Sequence, residues 1–168
     1  SYAITLKKNI ITGNSKKIDG IRADSGKLIL SSNTISSCSR AIILSSKVKG
    51  TVYPNTFKKN TYNNVKVNSS YVNTLTVKSL SGKSKSAKTA TLNWKKLSSA
   101  SGYVVYRSAS KNGSYTKIST IKKNKTITYK DSKLKRKSTY YYKIVPYTTI
   151  GKTTVYGLDS KIVSIKIK

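Results

Sequence analysis

Apolar and polar positions alternate every second residue in the C-terminal half of the chain. The clearest case is the stretch 134–147, where Tyr140, Tyr142, Ile144 and Pro146 are two residues apart. Successive side chains of a β-strand point to opposite faces, so this spacing places all four on one face. The pattern therefore predicts a strand with one buried face, preceded by Leu134 as the apolar anchor of a loop.

The N-terminal half instead contains short apolar pieces that recur about every 22 residues. Asn9, Asn33 and Asn55 mark this repeat, and each period holds about three short strand-like pieces separated by Gly, Asn, Ser and Lys. Three short strands per period predict a solenoid, in which each strand stacks about 4.8 Å from its equivalent in the next turn. We expect the three asparagines to form a hydrogen-bonded column at a corner of the coil.

With these motifs, residues 1–72 resemble the C-terminal turns of a right-handed parallel β-helix, as in pectate lyases and related surface proteins. The resemblance implies about two and a half to three turns. A single turn cannot bury its own inner face, so we expect further turns upstream of Ser1. We also expect later residues to cover the unpaired edge at the other end of the stack.

From residue 73 onward the pattern changes to short antiparallel strands joined by turns, about seven in all. The first predicted strand is Leu75–Leu80, followed by a polar loop at Ser81–Lys88. Asn112-Gly113 between two apolar runs predicts a hairpin, because both residues accept a positive φ. The last predicted strand, Val155–Ile167, includes a corner at 157–160.

Residues 73–168 resemble a bacterial fibronectin type III domain, a seven-stranded immunoglobulin-like sandwich. The resemblance rests on Leu-Asn-Trp94, on Gly-Tyr-Val-Val-Tyr-Arg at 102–107, and on Leu134 followed by Tyr140-x-Tyr-x-Ile144. It implies that Trp94 is a core residue and that Tyr140 is the corner tyrosine. Pro146 departs from the family pattern, and since proline donates no hydrogen bond we expect the strand pairing to weaken there. The fold class is thus all-β, with a β-helix fragment followed by a sandwich.

The charge of the chain is strongly positive: 34 Lys and Arg residues stand against four acids, a net charge of +30. Most of the bases are Lys, a hydrated point charge, which favours diffuse attraction to polyanions over a specific anion pocket. The densest basic clusters are in two loops. They provide the predicted polyanion-binding residues, namely Lys122, Lys123 and Lys125 in the first loop and Lys133, Lys135, Arg136 and Lys137 in the second.

The chain has few residues of the types that catalysis and metal binding require. The chain has no His and no Glu, and its one cysteine, Cys38, is expected to be a small buried apolar residue. The β-helix resemblance implies possible calcium-assisted lyase chemistry, for which Asp19, Arg22 and Asp24 are the local candidates, although turn residues around a short strand are the simpler interpretation. We therefore predict no catalytic residues, no metal ligands and no cofactor in this chain.

The leading hypothesis is a non-catalytic C-terminal part of a secreted bacterial surface protein, which binds anionic cell-wall polymer or glycan through its lysines. One alternative is the ancillary end of a β-helix polysaccharide lyase or glycoside hydrolase. Another is an adhesin or immune-binding module for a host protein, with Tyr141 and Tyr147 as the tyrosines whose rings are most exposed. We expect no specific nucleic-acid partner, and no apolar run is long enough for a membrane span.

Overall fold

The computed structural model describes residues 3–13 and 18–168, apart from the side chain of Asn63. Every regular element in this part of the chain is a β-strand, so the protein is all-β there. The chain divides into two compact units. Unit 1 consists of Ser1–Thr74 and Thr148–Gly157, and unit 2 consists of Leu75–Tyr147 and Leu158–Lys168.

Unit 1 is built from short strands that pair with the strands one repeat away. Three parallel ladders result, β1-β4-β7, β2-β5-β8 and β3-β6-β9. The strands are β1 (Ala3–Lys7), β2 (Ile10–Thr12), β3 (Ile21–Ala23), β4 (Gly26–Ser31), β5 (Thr34–Ser36), β6 (Arg40–Leu44), β7 (Val48–Val52), β8 (Thr56–Lys58), β9 (Tyr62–Val67), β10 (Ser70–Val72) and β17 (Thr153–Tyr156).

Later strands extend two of these ladders at the β9 and β7 edges, and the ladder that ends at β9 becomes a mixed sheet. β10 adds to β9 in antiparallel orientation, and β17 adds to β7 in parallel orientation. The hydroxyl of Thr153 donates to the carbonyl of Val48 at 3.1 Å, which fixes β17 on the edge of β7. Part of the predicted last strand therefore lies in unit 1, and residues 148–157 are grouped with the repeats.

The interior of unit 1 is filled by aliphatic side chains from equivalent positions of the repeat. Leu30, Ile35, Ile42, Leu44 and Val48 are fully buried in this core. Each alternates with a more exposed neighbour, as expected for strands with one face turned inward. Cys38 is buried in the same core, which confirms its prediction as a small apolar residue.

The asparagines that mark the repeat are joined by hydrogen bonds. The backbone N–H and the side-chain Nδ2 of Asn9 both donate to Oδ1 of Asn33, each at 3.0 Å. The same two groups of Asn33 donate to Oδ1 of Asn55 at 2.9 Å. Asn33 also donates from Nδ2 to the carbonyl of Leu6 and is completely buried. The side chain thus satisfies backbone groups at a corner that no strand partner reaches.

A second column of the same kind was missed in the sequence. The backbone N–H of Cys38 donates to Oδ1 of Asn60 at 2.9 Å, and Nδ2 of Asn60 donates to the carbonyl of Ile35. The signal was present, because Cys38 and Asn60 have the same separation as Asn33 and Asn55. The pair was not predicted because its first member is a cysteine and not an asparagine.

Unit 2 consists of two antiparallel sheets that share one core. The first sheet has the order β11-β12-β15, and the second contains β14, β13, β16 and β18 in that order. The strands are β11 (Ser81–Lys83), β12 (Ala90–Asn93), β13 (Gly102–Ser108), β14 (Thr116–Ile121), β15 (Thr128–Asp131), β16 (Thr139–Ile150) and β18 (Val163–Lys166). The final three residues of β16 belong to unit 1.

The core of unit 2 is centred on aromatic residues. Trp94 is buried and meets Tyr103 edge to face, with 5.4 Å between the ring centroids. Leu92, Tyr142 and Ile144 are completely buried beside them. Inward side chains from both sheets therefore form one apolar layer, the arrangement expected of a sandwich.

The start of the sandwich differs from its prediction. Residues 75–80 form no strand beyond a single bridge between Thr76 and Leu158, whereas β11 lies in the stretch predicted as a polar loop. A Cβ at Gly82 would be 2.5 Å from Cδ1 of Ile165, so glycine lets this polar segment pack closely against the core without moving that side chain. Hydrophobic periodicity contains no such information.

Two further expectations need correction. Pairing between β13 and β16 continues through Pro146, which is opposite Tyr103, so the expected weakening is absent. Tyr147 is buried rather than exposed, since Gly102 leaves room for its ring. The predicted β13–β14 hairpin is confirmed, but it is joined by a longer loop, and neither Asn112 nor Gly113 has a positive φ.

Candidate polyanion-binding site

The loop between β15 and β16 carries the second predicted basic cluster and is fixed by two contacts. Leu134 is buried in the core of unit 2. The hydroxyl of Tyr140 accepts a hydrogen bond from the backbone N–H of Lys135 at 3.3 Å. This contact is the one that a corner tyrosine makes. Lys133, Lys135 and Arg136 lie next to the Leu134 anchor and are exposed to solvent.

Backbone pairing brings a further lysine to this loop. The N–H of Leu134 donates to the carbonyl of Lys88 at 3.0 Å, and the N–H of Lys137 donates to the carbonyl of Ile167. Together these segments form an open depression of about 680 Å³, here called the basic depression. Its lining residues are Lys88, Lys133, Leu134, Lys135, Arg136 and Tyr140. Lys137 is adjacent in the loop but is not among the lining residues.

Lys88 was missed in the sequence because it lies far from the cluster and is one of three lysines spread through a polar loop. Its φ is 60°, and the φ values of Lys133 and Lys137 are 60° and 61°. Three lysines of this region therefore occupy left-handed turn positions. Such positions occur at tight turns, where side chains project from the surface. Turn geometry therefore concentrates the charge at this end of the unit.

The first predicted cluster lies elsewhere on the same unit. Lys122, Lys123 and Lys125 are exposed in the loop that precedes β15, whereas the basic depression follows β15. A strand of four residues separates its ends by about 13 Å, so the two clusters are at opposite ends of β15. The structure therefore divides the predicted residues into two separate positive patches.

Nearly all of this positive charge lacks an acidic partner. Among the described residues, ion pairs join Asp19 to Arg22 at 3.6 Å, Asp131 to Arg107 at 3.1 Å and Asp159 to Lys143 at 2.7 Å. None of the bases around the basic depression takes part in these three pairs. An anion that enters it would meet four positive side chains and no carboxylate among the lining residues.

One of the ion pairs belongs to a network that also contacts Tyr140, a lining residue of the depression. Asp131 accepts hydrogen bonds from Nη1 of Arg107 and, at 2.9 Å, from the hydroxyl of Tyr142. Arg107 is also above the ring of Tyr140, 5.3 Å from its centroid. Burial, followed by the hydrogen bond to Asp131, raises the pKa of Tyr142. Tyr142 therefore stays a neutral donor. Arg107, which pairs with Asp131, also packs on the ring of Tyr140.

The alternative lyase site is not assembled in the structure. Asp19 pairs with Arg22, and Asp24 makes no ion pair in the described part of the chain. No group of three or more potential metal-ligating side chains occurs among residues 3–13 and 18–168. Within the same residues, no helix has the length and apolar character needed to cross a membrane.

Comparisons with known proteins show similarity at the level of structure. No protein-family model and no curated protein matches the chain. An Fn3-like protein from Clostridium thermocellum is 30% identical over 54% of this chain and 88% of its own, with a TM-score of 0.46. The sixth fibronectin type III domain of human fibronectin type III domain containing protein 3 is 19% identical, with a TM-score of 0.47, over 57% and 87% of the two chains.

The chain has fibronectin type III-like fold neighbours. A third similar structure is a beta-1,2-glucanase from Parabacteroides distasonis, which is 17% identical with a TM-score of 0.44. The similarity covers 56% of this chain but only 12% of the glucanase. Fibronectin type III-like domains are commonly spacers or binding modules without catalytic activity.

Proposed function

We propose that this chain is a non-catalytic part of a secreted bacterial surface protein, in which turns of a parallel β-helix continue into a fibronectin type III-like spacer. Its Lys-rich surface would bind an anionic cell-wall polymer or glycan. The three parallel ladders of unit 1 and the hydrogen bonds among Asn9, Asn33 and Asn55 support the β-helix part of this proposal.

The observation that carries the binding proposal is the basic depression. Lys88, Lys133, Lys135 and Arg136 surround an open surface of one sign, with no carboxylate among its lining residues. Clustered like charges repel each other, and a bound polyanion relieves this repulsion while releasing counterions. An open depression also suits a polymer that must enter and leave from the side.

Two variants with equal losses of charge test where binding occurs. Lys133→Gln/Lys135→Gln/Arg136→Gln removes three charges from the basic depression, and Lys122→Gln/Lys123→Gln/Lys125→Gln removes three from the other loop. We expect the first to weaken binding of poly(glycerol phosphate) about tenfold and the second about twofold, since clustered charges contact the polymer together. Calorimetric titration at 50 mM salt measures both affinities.

Equal effects of the two variants would contradict a site at the basic depression. Unfolding curves of both variants serve as the control, because all six positions are exposed and little change in stability is expected. A host-protein partner would give a different result. Its binding would persist at about 0.5 M salt, where the attraction between exposed charges is largely screened.

A further inference from the structure

The outer surface of one sheet in unit 1 combines exposed tyrosines with arginines. Arg22, Ile43, Lys66 and Tyr71 are directly opposite one another across β3, β6, β9 and β10. The inward row beside them, Ile21, Ile42, Val65 and Val72, is buried, so the first row faces solvent. Arg40 and Tyr62 form a second outward pair in register. We call these six outward residues the Tyr62 face.

Each tyrosine of this face has its own cation. The guanidinium carbon of Arg40 is 5.5 Å from the ring centroid of Tyr62, and Nζ of Lys66 is 5.4 Å from that of Tyr71. The ring centroids of Tyr62 and Tyr71 are 6.4 Å apart, at an interplanar angle of 36°. Tyr62 and Tyr71 are 46% and 49% exposed, among the most exposed aromatic residues in the described part of the chain.

Two cations of the face, Arg40 and Lys66, have no acidic partner. Among the described residues neither forms an ion pair, and the Nε of Arg40 is buried without an acceptor. Arginine is scarce in this chain, with four residues, and Arg107 is committed to Asp131. Two of the other three, Arg22 and Arg40, are on this one face, and Arg22 pairs with Asp19 at 3.6 Å. An arginine fork binds a carboxylate through two parallel hydrogen bonds, which a lysine cannot do.

The ratio of rings to cations indicates the chemistry of the ligand. An exposed tyrosine ring provides a flat apolar surface on which the C–H face of a pyranose can pack. With one cation beside each ring, the face fits a polymer whose repeating unit has one pyranose ring and one carboxylate. Poly(glycerol phosphate) has no ring to stack, and a neutral glucan leaves the cations unused.

We propose that the Tyr62 face is a binding site for a carboxylate-bearing pyranose glycan, distinct in position and in selectivity from the basic depression. Tyr62 and Tyr71 would stack on sugar rings, while Arg40 and Lys66 would bind the carboxylates. This inference rests on the proposed function, in that both assign anionic polymers as ligands. It adds selectivity, since the basic depression responds to charge alone.

The test compares two polymers on matched variants of the whole chain. The probes are alginate, with one carboxylate per pyranose, and poly(glycerol phosphate), with charge but no ring. Arg40→Gln/Lys66→Gln is compared with Lys122→Gln/Lys123→Gln, which loses the same charge. We expect the first variant to bind alginate about tenfold more weakly but poly(glycerol phosphate) no more than about twofold more weakly. The second should change both affinities by about twofold or less.

A second variant, here called the ring variant, removes both tyrosine rings and tests the stacking part of the proposal. Tyr62→Ala/Tyr71→Ala should weaken alginate binding about tenfold and leave poly(glycerol phosphate) binding unchanged. Tyr53→Ala, which removes an exposed tyrosine elsewhere in unit 1, is the matched control. Thermal unfolding checks that each variant is folded. If the ring variant folds poorly, Arg40→Gln/Lys66→Gln still tests the proposal because it retains both tyrosines.

Three results would overturn the inference. The first is that Arg40→Gln/Lys66→Gln weakens the binding of both polymers equally. The second is that the ring variant binds alginate with unchanged affinity. The third is that the ring variant loses more affinity for a single-stranded deoxythymidine oligonucleotide than for alginate, since bases also stack on tyrosines. Normal polymer binding by Lys133→Gln/Lys135→Gln/Arg136→Gln, together with the expected losses at the Tyr62 face, would overturn only the proposed site at the basic depression.

Discussion

Replacing Asn33 with Ala is expected to destabilise unit 1 by about 2–4 kcal/mol, because several buried hydrogen bonds are lost at once. Oδ1 of Asn33 accepts from both donors of Asn9, and its Nδ2 donates to Leu6 and Asn55. The side chain is completely buried, so water cannot replace it without opening the corner. Urea unfolding followed by circular dichroism measures the loss.

Asn112→Ala is the matched control for this prediction. Asn112 is exposed in the loop between β13 and β14, and its replacement is expected to change stability by less than about 0.5 kcal/mol. Similar small changes for both variants would mean that the asparagine column does not hold the repeats together.

The second large effect is expected at Asp131 in unit 2. Asp131→Ala would leave the buried hydroxyl of Tyr142 without its acceptor and Arg107 without its counter-ion. We expect a loss of about 2–4 kcal/mol, toward the lower end because the Arg107 side chain is 33% exposed and partly hydrated. Denaturant unfolding monitored by the fluorescence of Trp94, the only tryptophan, reports on this unit.

The surface ion pair between Lys143 and Asp159 is the appropriate comparison. Its N–O distance of 2.7 Å is shorter than the 3.1 Å of the buried pair, but the Asp159 side chain is 55% exposed. Solvent screens such a pair, so Asp159→Ala is expected to cost less than about 1 kcal/mol. A larger loss of stability for Asp159→Ala than for Asp131→Ala would mean that burial does not explain how the Asp131 network stabilises the unit.

Much of unit 2 could be predicted from the sequence because local patterns are strong there. The alternation around Tyr140 predicted β16, and the corner contact to Lys135 follows from the same stretch. Gly82 shows the limit of such patterns. Its close approach to Ile165 depends on residues far apart in the chain, so β11 could not be distinguished from a polar loop.

The candidate sites were less predictable than the fold. Runs of lysine predicted part of the basic depression, but Lys88 reaches it only through the backbone contact with Leu134. The Tyr62 face was missed for another reason. Arg40 and Tyr62 are 22 residues apart, the same separation as Asn33 and Asn55, but both are polar or half-exposed positions that hydrophobic periodicity does not mark.

The measurement that tests the central claim most directly is the affinity of the unaltered chain for poly(glycerol phosphate) across a salt series from about 50 to 500 mM. If clustered lysines bind anionic polymer by charge, the logarithm of the association constant should fall linearly with the logarithm of the salt concentration, with a slope set by the number of contacts. An affinity that is absent at 50 mM, or that does not change across the series, would contradict the account.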